Sequence, residues 1–257
     1  MAWTEQVALV TGGSRGMGRA IVQRLADQGA AVAINYVSHA DAAESLSSEI
    51  ERAGGRAIAV RADVSDDAEV EMMVDRVTAD LGPPTILVNN AGISYPATLD
   101  TYDRERLSRM RDVNADGVIF TTRAVMRSMR ERGYGRIVNI ASNAGIGTSL
   151  PGTTFYAASK AEVIVLTRRF AMELGPHGIT VNAVAPGFVE TDMARRDRGK
   201  PEWEAVAKRI AALAMMGRVG RPEDIANAVA FLASPDSGWI TAQVLTVDGG
   251  RMDYIAH

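Results

Sequence analysis

The sequence predicts an α/β fold with a seven-stranded parallel sheet and helices on both faces. Short runs of β-branched and apolar residues alternate with longer stretches of helical periodicity. The short runs are apolar at successive positions, as expected of strands buried on both faces. Right-handed crossovers between such strands give a doubly wound, Rossmann-type fold. Because no repeat or linker interrupts residues 1–257, we expect a single domain.

The predicted elements follow from this alternation and from the glycines and prolines that end each run. We expect strands at 7–10, 31–35, 57–61, 85–88, 136–141, 179–184 and 244–247, and helices at 17–28, 41–53, 67–81, 103–131, 154–174 and 222–233. The segment 188–220 is irregular, and we expect it to form a substrate lid. Its apolar residues repeat at helical spacing, which ordinary helix packing would explain equally well.

Composition excludes several classes of function. The chain has no cysteine, so it forms no disulfide, thiolate nucleophile or cysteine-ligated metal site. Its histidines, His39, His177 and His257, form no spaced ligand pair, and we expect no metal. A net charge of −3 argues against nucleic acid as the main partner. We find no signal peptide or membrane span and expect a cytoplasmic protein.

A glycine-rich turn joins the first strand to the first helix, at Thr11–Gly18. Glycines let the backbone approach a pyrophosphate, and the helix N-terminus favours its charge. The alternative to a phosphate-binding turn is a glycine-rich turn that serves only the packing of the strand and the helix. We expect contacts to a dinucleotide from Gly12, Ser14, Arg15, Gly16 and Met17.

The end of the second strand indicates which dinucleotide. An acidic residue there would bind the ribose hydroxyls of NAD, but the strand ends in Asn35, Tyr36 and Ser38, with no acid until Asp41. Arg15 could pair with a 2′-phosphate, or it could be a solvated loop charge. We therefore expect NADP(H), with Asn35, Tyr36 and Ser38 near the cofactor.

Tyr156 and Lys160 lie four residues apart on a predicted helix and therefore on one face. A free tyrosine has a pKa of about 10, and a neighbouring cation lowers that value toward neutrality. Ser142, near the end of the fifth strand, could orient a carbonyl oxygen. Alone, such a pair is more typical of an amphipathic helix surface than of an active site.

The whole chain resembles the short-chain dehydrogenase/reductases, and among them the 3-oxoacyl-[acyl-carrier-protein] reductases. The motifs that carry the resemblance occur in the family's order, at Thr11–Gly18, Asp63-Val64, Asn89-Asn90-Ala91-Gly92, Asn114, Ser142, Tyr156, Lys160, Pro186-Gly187 and Thr191. Each motif is weak alone, and together they are specific.

The resemblance implies a role for each of these positions. Tyr156 would protonate a carbonyl oxygen as hydride arrives, Lys160 would hold the nicotinamide ribose and acidify Tyr156, and Ser142 would bind the substrate oxygen. Asn114 would hold a water of a proton relay. Further cofactor contacts would come from Asp63, Val64, Asn90, Ala91, Gly92, Pro186, Gly187, Val189 and Thr191. The implied activity is NADP(H)-dependent interconversion of a ketone and a secondary alcohol.

The resemblance leaves the substrate open. The carrier-protein reductases often carry arginines where this chain has Gly133 and Met172, although Arg132, Arg168 and Arg169 are close. A 3-oxoacyl thioester, a small or cyclic ketone and a sugar remain candidates, and acyl carrier protein is an uncertain partner.

Two other classes of function compete with a ketone reductase: a noncatalytic nucleotide-binding sensor, and an isomerase or dehydratase of nucleotide sugars, whose relatives usually need an extra C-terminal substrate domain. A noncatalytic nucleotide-binding sensor would not need Ser142, Tyr156 and Lys160. Enoyl reductases of this family generally space the tyrosine and lysine more widely. The resemblance also implies a homotetramer, across which the tail 251–257 could pack.

Overall fold

The computed structural model describes residues 2–148, 150–195 and 199–254 and contains one sheet of seven parallel strands. The strands are β1 (Val7–Val10), β2 (Ala31–Tyr36), β3 (Ala57–Arg61), β4 (Ile86–Asn89), β5 (Gly135–Ile140), β6 (Ile179–Pro186) and β7 (Val244–Val247). Their order is β3-β2-β1-β4-β5-β6-β7, so the crossover direction reverses between β1 and β4. The predicted doubly wound fold is confirmed.

Helices cover both faces of this sheet. They are α1 (Gly16–Asp27), α2 (Ala40–Arg52), α3 (Asp67–Asp80), α4 (Arg104–Arg111), α5 (Gly117–Arg132), α6 (Thr154–Leu174), α7 (Asp192–Arg195), α8 (Lys200–Ala211) and α9 (Pro222–Ala233). Within the described ranges, no helix combines the length and the apolar character that crossing a bilayer requires.

Alternate residues of each strand point to opposite faces of the sheet, and this divides the core in two. Ala8 and Val10 pack with α1, α2 and α9 on one face. Val7 and Leu9 pack with α3, α5 and α6 on the other. Every residue of β1, β4, β5 and β6 is buried, which explains why the central strands are apolar at successive positions, while the edge strands β3 and β7 are partly exposed.

The long helix predicted at 103–131 is interrupted. The π-helical turn Asp112–Asp116 separates α4 from α5. Buried positions still recur every three or four residues through the turn, at Met110, Asn114, Val118, Thr122 and Val125, so the sequence gives no sign of the break. In the predicted lid, Trp203 and Ile210 of α8 are buried, so the apolar stripe faces inward. Residues 196–198 of that segment lie outside the described residues.

A buried polar network connects the elements that carry the candidate site. Asn89 of β4 donates from Nδ2 to Asn139 Oδ1 of β5 at 2.9 Å, and accepts at Oδ1 from the Thr121 hydroxyl of α5 at 2.6 Å. Asn139 Nδ2 in turn donates to the Thr167 hydroxyl of α6 at 2.9 Å. All four residues are at most 3% exposed. Their hydrogen bonds fix α5 and α6 relative to β4 and β5.

Replacing Thr167 with valine tests this network. The change keeps the shape but leaves the buried Asn139 Nδ2 without its acceptor, which costs about 1–3 kcal/mol. Chemical denaturation of wild type and Thr167→Val measures the difference. The control is Thr78→Val on the exposed face of α3, which changes stability by no more than about 0.5 kcal/mol. Equal stability of the two variants would contradict the network's role.

Candidate active site

The candidate active site lies at the carboxyl edge of the sheet, where the turns after β1, β4, β5 and β6 meet. Thr11 N, just after β1, donates to Val88 O of β4 at 3.0 Å, and Ala141 N, just after β5, donates to Val184 O of β6 at 2.8 Å. In doubly wound sheets, ligands bind at this edge, at the point where the crossovers reverse.

The glycine turn after β1 has a backbone that suits glycine alone. Gly12 and Gly16 have φ of +59° and +53°. A Cβ on Gly18 would lie 2.1 Å from Gly12 O, which no larger residue could tolerate. Asn90 Nδ2 donates to the carbonyl oxygens of Thr11 and Gly12, each at 2.9 Å. The turn is therefore fixed against the end of β4 at a helix N-terminus, an arrangement that can bind a phosphate.

The segment after β4 is fixed to the same turn from the other direction. The hydroxyl of Thr11 accepts from Asn90 N at 2.9 Å and from Ala91 N at 3.0 Å. Asn90 and Ala91 thus lie beside the glycine turn, as the sequence predicts.

Three further predicted residues occupy the turn and the start of α1. Ser14 is buried and Met17 is half-buried against the core. The Arg15 side chain is 54% exposed, and its Nη1 lies 3.9 Å from the Asp192 carboxylate. A surface ion pair of this length holds the guanidinium weakly, so Arg15 can reach an anion.

Of the residues at the end of β2, Asn35 differs from the others. It is 1% exposed, accepts from Gly12 N at 3.1 Å and donates to Ala62 O at 2.9 Å. Its side chain therefore lies behind the glycine turn, where it supports the turn. Tyr36 is half-buried and Ser38 is exposed, at the end of the strand.

Asp63 lies at the end of β3 in a cluster that the sequence did not reveal. Its carboxylate accepts from the Ser65 hydroxyl at 2.7 Å and from Arg109 Nη2 of α4 at 2.6 Å. Burial alone would raise the pKa of Asp63, but these hydrogen bonds outweigh it and lower the pKa. Asp63 is therefore an anion whose partner comes from another element. The adjacent Val64 is buried against Gly117.

Asn114 lies in the π turn and is fully buried. Its Nδ2 donates to Ile93 O at 2.9 Å and to the Ser159 hydroxyl at 3.0 Å, and its Oδ1 accepts from Ile93 N at 2.8 Å. The π turn therefore directs this amide toward the segment after β4 and toward α6. Such turns are frequent at functional sites.

Tyr156 and Lys160 lie on the first turns of α6. Lys160 is 4% exposed, and its Nζ donates to Ile140 O at the end of β5, at 2.8 Å. A Cβ on Gly92 would lie 3.3 Å from both Lys160 Nζ and Asn114 Oδ1. The structure thus brings Gly92, Asn114 and Lys160 together.

The electrostatics of the tyrosine differ from the sequence-based expectation. Burial raises the pKa of Tyr156 above its ordinary value, and a hydrogen bond with Ser142 opposes the increase. The Lys160 ammonium, directed to the Ile140 carbonyl, does not lower the tyrosine pKa as expected. Burial lowers the pKa of Lys160 to about 8. The pair is therefore a neutral phenol beside an amine that titrates near neutrality.

Ser142 follows β5 and is held by the turn that it begins. Its hydroxyl accepts from Ala144 N at 3.1 Å. Because the hydroxyl also hydrogen-bonds Tyr156, two groups able to contact one carbonyl oxygen lie side by side.

The segment after β6 completes the edge. Gly187 follows Pro186 and donates to Val247 O at 3.0 Å, and a Cβ on it would lie 2.6 Å from Asp248 Cβ. Val189 is buried and pairs with Gly220. Thr191 Oγ1 accepts from Ala194 N at 3.2 Å, as a helix cap does.

Thr191 also approaches the glycine turn. Its Cγ2 would lie 3.4 Å from a Cβ on Gly16. Nearby, Phe188 stacks on Trp203 at 6.0 Å between ring centroids, and Arg195 lies 5.0 Å from the Trp203 ring. The start of the predicted lid is thus packed on α8 and close to the glycine turn.

Sequence reasoning missed the partners that act through other residues. Arg109, Ser159 and Asp248 contact Asp63, Asn114 and Gly187, but each comes from a distant element. Of these three, only Ser159 could have been suggested by its position in the sequence, because it lies between Tyr156 and Lys160. In the structure its hydroxyl donates to Tyr156 O at 2.8 Å.

Comparison with known proteins agrees with this architecture. A family model described as enoyl-(acyl carrier protein) reductase matches residues 12–251. A 3-oxoacyl-[acyl-carrier-protein] reductase of Synechocystis sp. is 41% identical over 252 residues, 98% of each chain.

Solved structures extend the match to three dimensions. A short-chain dehydrogenase/reductase from Serratia marcescens has a TM-score of 0.90 and 40% identity, over 97% of this chain and 99% of that one. A short-chain dehydrogenase from Burkholderia cenocepacia in complex with NADP has a TM-score of 0.87 and 40% identity, over 95% and 97%. With a family model matched over residues 12–251 and a relative 41% identical along 98% of both chains, this chain belongs to the short-chain dehydrogenase/reductase family.

Proposed function

We propose that the protein is an NADP(H)-dependent reductase that interconverts a ketone and a secondary alcohol with Tyr156 as its acid/base. The observation that carries the proposal is the convergence of Tyr156, Ser142 and Lys160 at the carboxyl edge of the sheet, beside the glycine turn. A nucleotide sensor would gain nothing from the amine buried at this position, because a charge buried without an opposite charge is costly.

The residues fit a dinucleotide phosphate cofactor. Gly12 and Gly16 adopt left-handed backbone at the N-terminus of α1, and a Cβ on Gly18 would clash with Gly12 O, at 2.1 Å. The exposed Arg15 guanidinium suits a 2′-phosphate. The Burkholderia relative in complex with NADP supports this choice of cofactor.

The proposed contacts divide by location. The residues proposed to bind the cofactor directly are Gly12, Ser14, Arg15, Gly16, Met17, Tyr36, Ser38, Asp63, Val64, Asn90, Ala91, Gly92, Tyr156, Lys160, Pro186, Gly187, Val189 and Thr191. Asn35 would act through the turn, since both its side-chain polar groups already bind protein. The nicotinamide supplies or accepts a hydride when bound.

The chain's own part in the reaction is proton transfer and orientation. Ser142 and Tyr156 would hydrogen-bond the substrate carbonyl oxygen together. Since burial keeps Tyr156 protonated, it can donate its proton as negative charge develops on that oxygen. Lys160 would hold the nicotinamide ribose, and the second lone pair of Asn114 Oδ1, beside its bond from Ile93 N, would hold the water that returns the proton.

For the substrate, we place 3-oxoacyl thioesters first, because the Synechocystis relative matches along 98% of both chains. Arg132, Arg168 and Arg169 are exposed and could meet an acidic carrier protein. Small or cyclic ketones and sugars remain the alternative, favoured by Gly133 and Met172 at the positions where carrier-protein reductases often have arginine. In either case, the segment 188–220 would close over the substrate.

The description of the family model names an enoyl reductase, a second candidate activity. The four-residue spacing of Tyr156 and Lys160 favours carbonyl reduction instead. We further propose a homotetramer built on α5 and α6, because Val165 and Met172 of α6 are more than half exposed.

Replacing Tyr156 with phenylalanine tests the proposed chemistry. A panel of 3-oxoacyl thioesters and simple ketones is assayed by the absorbance of NADPH. We expect wild type to turn over at least one, and Tyr156→Phe to lose roughly 99% of kcat or more, since the change removes the general acid. The Kd for NADPH should stay within about twofold because no cofactor charge loses its partner. Retained turnover in the variant would refute the role of the phenol.

Replacing Arg15 with alanine tests the choice of cofactor. The KM for NADPH should rise on the order of tenfold to a hundredfold, as expected for the loss of a hydrogen bond to a charged group, with little change for NADH. Asp192→Asn is the matched control, because it removes the ion-pair partner of Arg15 and spares the guanidinium. The same loss in both variants, or an unchanged preference in Arg15→Ala, would contradict a 2′-phosphate contact.

A further inference from the structure

The C-terminal segment Asp248–Tyr254, which we call the strap, runs along the proposed lid. Met215 N and Met216 N donate to the carbonyl oxygens of Gly250 and Gly249, each at 3.0 Å. Met252 N donates to Leu213 O at 2.9 Å. The strap is therefore hydrogen-bonded to the end of the segment 188–220.

The strap also contacts the loop that carries Ser142. Tyr254 pairs with Thr148 in an antiparallel bridge. The Tyr254 hydroxyl donates to Asp248 Oδ2 at 2.5 Å, while Gly250 N donates to Asp248 Oδ1 at 3.0 Å. Both carboxylate oxygens of Asp248 are thus used to fold the strap back on itself.

Asn143 connects this cluster to the catalytic serine. It is the residue after Ser142, is 6% exposed, and lies near enough to the Tyr254 hydroxyl to affect it. Burial and the Asp248 carboxylate raise the pKa of Tyr254, against the smaller opposing effects of Asn143 and Arg251. The Tyr254 hydroxyl therefore stays protonated and remains a hydrogen-bond donor at all ordinary pH values.

An ion pair shielded from water fixes the middle of the strap. Arg251 is 7% exposed, and its Nε and Nη2 each donate to the Asp253 carboxylate at 2.6 Å. A bidentate pair of this kind sets the geometry of the chain that carries it. Arg251 also pairs with Ala214 in an antiparallel bridge, so the strap cannot shift without disturbing the lid.

We propose that Tyr254 is a positioning residue for the substrate: its hydrogen bond to Asp248 holds the strap against the lid and the loop 142–148, and so sets the width of the space between that lid and that loop, which we call the substrate cleft. Asp248 also packs on Gly187, where the lid segment leaves β6. The hydroxyl thereby joins Asp248, beside the start of the lid, to Tyr254, which pairs with Thr148 in the loop of Ser142. The proposal rests on the proposed function, because it assigns the substrate to this cleft.

The test compares wild type with Tyr254→Phe, Asp248→Asn and the control Tyr134→Phe. Tyr134 lies before β5, at the opposite edge of the sheet, so losing its hydroxyl should leave the cleft unchanged. In Tyr254→Phe we expect the KM for the ketone to rise about tenfold, the effect of one hydrogen bond, with the KM for NADPH and the Tm nearly unchanged. Asp248→Asn keeps one acceptor oxygen for two donors, the Tyr254 hydroxyl and Gly250 N, and should also raise this KM.

Hydrogen exchange supplies a readout that does not depend on activity. Amides of 142–148 and 213–216 should exchange faster in Tyr254→Phe than in wild type or Tyr134→Phe. An unchanged KM for the ketone together with unchanged exchange rates would overturn the proposal. A lower Tm with equal increases in the KM for the ketone and the KM for NADPH would also overturn it, because that result indicates a merely structural role. If wild type reduces no ketone, the proposed function fails, and the exchange rates still decide whether Tyr254 locks the strap.

Discussion

The candidate site depends on the burial of a single amine. Lys160 Nζ lies against the Ile140 carbonyl, and within the described residues no carboxylate pairs with it. An ammonium in such surroundings is poorly solvated, which lowers its pKa to about 8. The folded protein therefore loses stability wherever the unfolded chain would hold this lysine charged. That cost disappears as the pH rises above the ordinary lysine pKa of about 10.4. A costly group retained at this position agrees with a functional role.

Rigid elements surround that amine and leave little freedom to the groups that share its site. The π turn aims Asn114 at the segment after β4, and the buried asparagines of β4 and β5 tie α5 and α6 to the sheet. The glycine turn is fixed by Asn90, and the strap spans the lid and the Ser142 loop. Preorganisation of this kind suits a reaction whose acid must meet one oxygen atom while hydride arrives from another direction.

The fold and the central residues of the site could be predicted from the sequence, because their signals are local. Each of these signals spans only a few consecutive residues: the strands that are apolar on both faces, the glycine turn, and the four-residue spacing of Tyr156 and Lys160. The π turn was not predicted because buried positions recur every three or four residues through α4, the turn and α5. The contacts of Arg109 with Asp63, of Asp248 with Gly187 and of Tyr254 with Thr148 were not predicted, because the two residues of each contact are distant in sequence. The predicted direction of the pKa shift of Tyr156 was wrong. Burial raises this pKa and outweighs the effect expected of the neighbouring lysine, and no local sequence pattern reports burial.

The central claim is that Lys160 is a buried amine poised to change charge near neutral pH beside a protonated Tyr156. The sequence carries lysine only at positions 160, 200 and 208, and the latter two are exposed, so an NMR spectrum of protein labelled with ¹³C at lysine Cε contains two reference signals. Lys160→Arg identifies the signal of interest by its loss. We predict that the Lys160 signal titrates with a pKa of about 8. Titration at the ordinary lysine value of about 10.4 would contradict the burial on which the proposed site depends.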